Sequence, residues 1–205
     1  MMWGKSIYLA SRSPRRRELL KQIGIDFEML LLRSDPRRTV DVDEAPLTGE
    51  APDAYAVRIA RTKAEVGLRA IMQRGLRPKP ILSADTTVVL DNEILGKPES
   101  TAHAESLLSA LSGREHRVIS AVAVAFRDQL ETRVSVSSVW FRDITVAEIE
   151  RYVATGEPMD KAGAYAIQGK AALFVTRMDG SYSGIMGLPL AETAELLQRF
   201  GIVAL

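Results

Sequence analysis

The feature that most constrains the fold is the opening run Ile7-Tyr8-Leu9-Ala10-Ser11-Arg12-Ser13-Pro14. A short apolar strand is followed by Ser13, a natural N-cap, and by Pro14, whose fixed φ suits the first helical position. The predicted helix turns Leu19, Leu20 and Ile23 inward and ends at Gly24; residues 27–32 then return as a strand. Strand, helix and strand in so short a span favour a layered α/β fold.

The remaining pattern extends that layer. Residues 81–90 form an apolar strand, turned by Asp91-Asn92-Glu93 into Ile94 and Leu95. Residues 116–126 and 132–141 are rich in Val and Ser and read as two long strands around a polar turn at Asp128-Gln129. Pro52 opens a long helix with Tyr55, Ile59, Ala60, Lys63 and Ala64 on related faces. Residues 101–111 are a helix ended by Gly113, Thr145 and Glu148 have capping-box spacing, and Pro189 opens a last helix with Leu196, Leu197 and Phe200 inward. A strand is expected over 172–176, and glycine-rich loops over 160–169 and 180–187. Residues 33–51, aperiodic and charged, read as a mobile loop. The expectation is one domain over residues 1–205, a mixed β-sheet flanked by helices, in two lobes.

Composition narrows the function. With 27 basic and 26 acidic residues the net charge is +1, so any polyanion site is local and neither nucleic acid nor membrane is an expected partner. The absence of cysteine removes disulfide scaffolds, thiolate metal sites and cysteine nucleophiles, and two histidines leave little room for a multi-histidine metal site. Met1 to Lys5 lack the apolar stretch of a signal peptide, and the expected location is cytoplasmic. The P-loop, the dinucleotide-binding glycine pattern and the nucleophile elbow are all missing.

Four segments carry candidate chemistry. Ser11, Ser13 and Arg15 with its neighbouring arginines sit at a helix N-terminus, which can cradle phosphate or be a capped helix with solvated charges. Asp85, flanked by Ser83, Thr86 and Thr87 in an apolar strand, either ligates a cation and accepts a proton from water or caps the strand end. Lys97 in Gly96-Lys97-Pro98 could return to the same mouth or stay exposed. Gln168, ending the run Asp160-Lys161-Ala162-Gly163-Ala164-Tyr165-Ala166-Ile167-Gln168-Gly169, offers a paired donor and acceptor suited to a base edge. Tyr165 either stacks or packs in the core. Gly180-Ser181-Tyr182-Ser183-Gly184 with Gly187-Leu188-Pro189 is a further loop. Glu44, Arg58 and Lys63 are charged candidates whose plain alternative is solvation.

In this order the segments resemble the Maf family of nucleoside triphosphate pyrophosphatases, from Leu9-Ala10-Ser11 to Gly187-Leu188-Pro189-Leu190. The resemblance implies an elongated fold similar to inosine triphosphatase, with a cleft between two lobes. It implies hydrolysis between the α and β phosphates with a divalent cation, Mg²⁺ or Mn²⁺. Asp85 matches the family's proton acceptor; Ser11, Ser13, Arg15, Lys63 and Lys97 fall on its substrate side, and Glu44 with Asp85 on the metal side. Arg15, Thr86 and Gln168 fall at specificity positions, and the segment ending in Gln168 resembles the dTTP/UTP branch. The alternatives are the 7-methyl-GTP branch and a nucleotide-binding regulator of division and septum formation without turnover. The oligomeric state is left open, a homodimer included.

Overall fold

A computed structural model describes residues 6–33 and 41–204. The segment Met1–Lys5 and residues 34–40 of the expected loop lie outside the described residues. Among the described residues a seven-stranded sheet is built from β1 (Ser6–Leu9), β2 (Asp26–Met29), β3 (Ile81–Leu90), β4 (Glu93–Leu95), β5 (Glu115–Phe126), β6 (Gln129–Phe141) and β7 (Val175–Asp179). Their order is β2-β1-β3-β5-β6-β7, with β4 added to β3. β1 runs parallel to β2 and β3, and the remaining pairs are antiparallel, so the sheet is mixed.

Helices cover it as the sequence predicts. α1 (Pro14–Gln22) follows β1, and α2 (Pro52–Gln73) starts at the expected proline. α2 lays Ala56, Ala60, Ala64 and Ala70 on the sheet. Gly67 lets it come closest, because a Cβ there would stand 2.2 Å from Ile81 Cδ1. α3 (Thr101–Leu111) and α4 (Val146–Val153) follow, the latter opened by a complete Thr145–Glu148 capping box. α5 (Tyr182–Met186) and α6 (Leu190–Arg199) close the chain. Between β3 and β4, Asp91 and Asn92 both take positive φ, the conformation a tight two-residue hairpin requires.

The sheet has two different faces. Toward α2, Ile81 and Val89 pack with Ile119, Ala121, Ala123 and Ala125 in one core. The opposite face carries two cores. Leu82 and Ala84 join Val122, Val124, Leu19, Leu196 and Leu197 at one end. Val88, Leu90, Val118 and Val139 join Leu108, Ile149, Tyr165 and Phe174 at the other. Between them Thr86, Ser120 and Ser135 stand in register across three strands. That polar row interrupts the hydrophobic surface and is the structural root of the two lobes.

Three local expectations need correction. The expected strand over 172–176 starts late: Lys170–Phe174 is a 3₁₀ turn, and the strand begins at Val175, where pairing with Phe141 becomes available. The 180–187 loop contains the short α5, capped by the Ser181 side chain accepting from Gly184 N. The second strand is only Asp26–Met29, because β1, its partner, ends at Leu9.

Candidate active site

The site grows from a gap in the sheet. One edge of β3 is paired by β5 from Ile81 to Val89. On the other edge, β1 pairs only as far as Leu82, and β4 begins only at Val88. Backbone groups between them must find other partners. Arg16 supplies one: its guanidinium donates to the Ala84 carbonyl at 2.8 Å, to the Gly187 carbonyl at 2.7 Å and to Thr86 Oγ1 at 3.2 Å. A further donation reaches Ser11 Oγ at 3.3 Å. Arg16 thereby ties α1, β3 and the α5–α6 loop at the opening. Burial pushes the Arg16 guanidinium down from its usual pKa, against the upward pull of Asp85 and Glu44.

On the α2 side of the gap, Lys63 Nζ stands 2.8 Å from Asp85 Oδ1 and 2.8 Å from Glu44 Oε1. Asp85 is buried, whereas the Glu44 side chain is 51% exposed. Burial raises the Glu44 carboxyl, but Lys63, with Lys97 and Arg16 acting at longer range, outweighs it and holds the pKa below the usual carboxylate value. Lys97, after the hairpin, is exposed, and its charge acts on the Glu44 carboxyl. Two side chains fix Glu44: Tyr55 Oη donates to its carbonyl at 2.9 Å, and Arg58 clamps Glu50 at 2.6 Å while donating to the Ala45 carbonyl at 3.0 Å. Arg58 is a strut for the acidic loop rather than a solvated charge.

At the head of α1, Ser13 occupies the N-cap position, yet its side chain makes no capping bond. The first-turn N–H groups of α1 therefore lack that acceptor, while the Ser13 N–H itself donates to Ser11 Oγ at 3.2 Å. Arg15 is half-buried, and burial lowers its pKa; Glu157, Tyr152 and Glu18 oppose the shift through their charge. Among the described residues it has no direct ion-pair partner.

Asp85, Lys63, Glu44, Lys97, Arg16, Ser11 and Thr86 therefore surround one opening. Gln168 stands apart from them, exposed in the turn after Ile167. Tyr165 packs in the core, its hydroxyl 2.8 Å from His116 Nε2. Arg16, Tyr55 and Ser120 were not singled out by sequence reasoning. Arg16 carried a signal, standing one residue after Arg15 on the first turn, but nothing local separates it from Arg15 or Arg17.

Asp85 and Glu44 meet on a single nitrogen, the arrangement a shared cation would also need. Among the described residues no group of three or more His, Asp or Glu side chains converges. Mg²⁺ commonly takes one or two carboxylates and completes its shell with water and substrate phosphate, so the pair fits such an ion.

A mixed sheet opened along one strand edge, with cationic side chains and a carboxylate pair around the opening, defines an α/β protein with a charged cleft. The chain belongs to the Maf family: the family model for Maf-like protein matches residues 6–200. It is 58% identical over 199 residues to the dTTP/UTP pyrophosphatase of Nitrosomonas europaea, spanning 97% of this chain and 96% of the relative. The dTTP/UTP pyrophosphatase of Aromatoleum aromaticum is 55% identical over 196 residues, 95% of each chain. That of Dechloromonas aromatica is 53% identical over 195 residues, 95% of this chain and 97% of the relative. The solved structure of the Staphylococcus aureus Ham1 protein aligns with a TM-score of 0.49 at 18% identity, over 95% of this chain and 97% of that one. The family read from the ordered motifs is borne out.

Proposed function

We propose that the protein hydrolyses dTTP and UTP to the nucleoside monophosphate and pyrophosphate. The observation that carries the reading is the convergence of Asp85 and Glu44 on Lys63 at the sheet opening, in a chain whose full-length relatives are dTTP/UTP pyrophosphatases. The triphosphate lies with its charge against Lys97, Arg15 and the first-turn N–H groups of α1, with Ser11 and Ser13 as hydroxyl partners. Asp85 accepts a proton from a water that attacks the α-phosphorus. The bond from that phosphorus to the bridging oxygen breaks, and its electron pair leaves with pyrophosphate. Lys63 aims Asp85 through its ion pair, and no covalent intermediate is needed.

A divalent cation held by Asp85 and Glu44 would supply charge neutralisation on the phosphates and polarise the α-phosphorus. Thr86 and Gln168 act on the base. The Gln168 amide presents a donor and an acceptor to the N–H and carbonyl of a uracil or thymine edge. The expected partner is thus the nucleotide itself, and the absence among the described residues of a helix long and apolar enough to cross a membrane is compatible with that role.

A pyrophosphate-release series over UTP, dTTP and 7-methyl-GTP tests the reading. The first two should be preferred, and chelation of divalent cations should abolish release until Mg²⁺ or Mn²⁺ is restored. A preference for 7-methyl-GTP would move the protein to the other branch. Tight nucleotide binding without release from any of them would make it a regulator.

A further inference from the structure

Gln168 lies in a turn closed by the Gly169 N–H donating to the Ala166 carbonyl at 2.9 Å. The far end of that turn is held from the segment after α4. At the far end, the Lys170 N–H donates to Glu157 Oε1 at 3.0 Å and lies 3.2 Å from Oε2. The Tyr152 hydroxyl of α4 donates to the same oxygen, Glu157 Oε1, at 2.9 Å. One carboxylate thus joins the end of the turn to α4. Gly169 makes room for it, because a Cβ there would stand 2.1 Å from Glu157 Oε1.

The charge of the same carboxylate also acts on Arg15. Glu157 is foremost among the charges acting on Arg15, which has no direct ion-pair partner among the described residues. We propose that Glu157, through Tyr152 and the Lys170 amide, is the positioning residue for base recognition, holding in place the turn that carries Gln168. The inference rests on the pyrimidine triphosphate reading above. A small pyrimidine meets the Gln168 amide only while the turn is held in, whereas a larger purine tolerates a looser wall. Glu157 itself touches no reacting atom.

The test compares wild type with Glu157→Ala, Glu157→Gln and Gly169→Ala on UTP and 7-methyl-GTP, with KM and kcat separated. Glu157→Ala should raise KM for UTP about 10-fold with kcat changed little, and lower the UTP to 7-methyl-GTP ratio of kcat/KM by a similar factor. Glu157→Gln keeps an acceptor oxygen and should fall between the two. Gly169→Ala, which displaces the carboxylate without removing it, should reproduce the alanine phenotype and serves if Glu157→Ala does not fold. Amide exchange at Lys170 should quicken in Glu157→Ala relative to the β5 amides. An unchanged substrate ratio in a wild type that prefers UTP, or a kcat loss with KM and ratio intact, would overturn this inference alone. A wild type that releases no pyrophosphate from UTP would instead overturn the functional reading on which it rests.

Discussion

Asp85 and Thr86 are consecutive residues of β3 and leave it through opposite faces. Asp85 meets Lys63 of α2 at 2.8 Å. Thr86 Oγ1 lies 2.8 Å from Ser120 Oγ and 3.2 Å from an Arg16 nitrogen of α1. Strand alternation makes this unavoidable. Both side chains nonetheless border one opening, because among the described residues β3 has no strand neighbour on that edge between Leu82 and Val88. The gap lets a carboxylate on one face and a hydroxyl on the other serve the same cleft.

Asp85→Asn is therefore expected to keep the fold while kcat falls roughly 10²–10⁴-fold, the usual scale for a removed general base. The amide still occupies the position facing Lys63, which retains Glu44 as a partner. Steady-state pyrophosphate release, with thermal unfolding as the control, measures it; near-wild-type turnover in a folded variant would remove Asp85 from this role.

Arg16→Lys is expected to lose more than charge conservation suggests. An ammonium cannot reproduce donations that diverge from a planar fork to the Ala84 and Gly187 carbonyls. Leaving one of these acceptors unsatisfied at the opening should cost about 2–4 kcal/mol of unfolding free energy. Urea denaturation reads it directly, and a variant as stable as wild type would show that water replaces the fork at no cost.

Stability should also fall with acid in a way that traces to His116. Burial in the Phe141 and Tyr165 cluster pushes the imidazole down to about 4 from 6.5. Between those values the unfolded chain binds more protons than the folded one, so stability is full above the upper value and declines as pH drops toward the lower. The loss is on the order of 3 kcal/mol. His116→Gln, which keeps a hydrogen-bonding partner for Tyr165, should shrink the difference between urea midpoints at about pH 7 and about pH 4.5. An equal difference in both proteins would assign the acid sensitivity elsewhere.

Local sequence determined much of this molecule. Pro14 and Pro52 fixed where α1 and α2 begin because proline sets φ and needs no hydrogen-bond acceptor. Thr145 and Glu148 fixed α4 through their reciprocal cap. Apolar runs fixed the central strands, and the ordered motifs placed the chain in its family, with Asp85 and Lys63 among its candidate residues. Tertiary structure decided the rest. Val175 became a strand, and residues 170–174 did not, because pairing depends on a β6 edge that no local pattern announces. Arg16 and Arg15 are adjacent and chemically identical. One is consumed by carbonyls at the strand gap while the other has no ion-pair partner among the described residues, and only the juxtaposition of α1, β3 and the α5–α6 loop separates them. The physical reason is range: caps, turns and alternation act within a few residues, whereas a gap in a sheet is made by strands distant in the chain that stop short of each other.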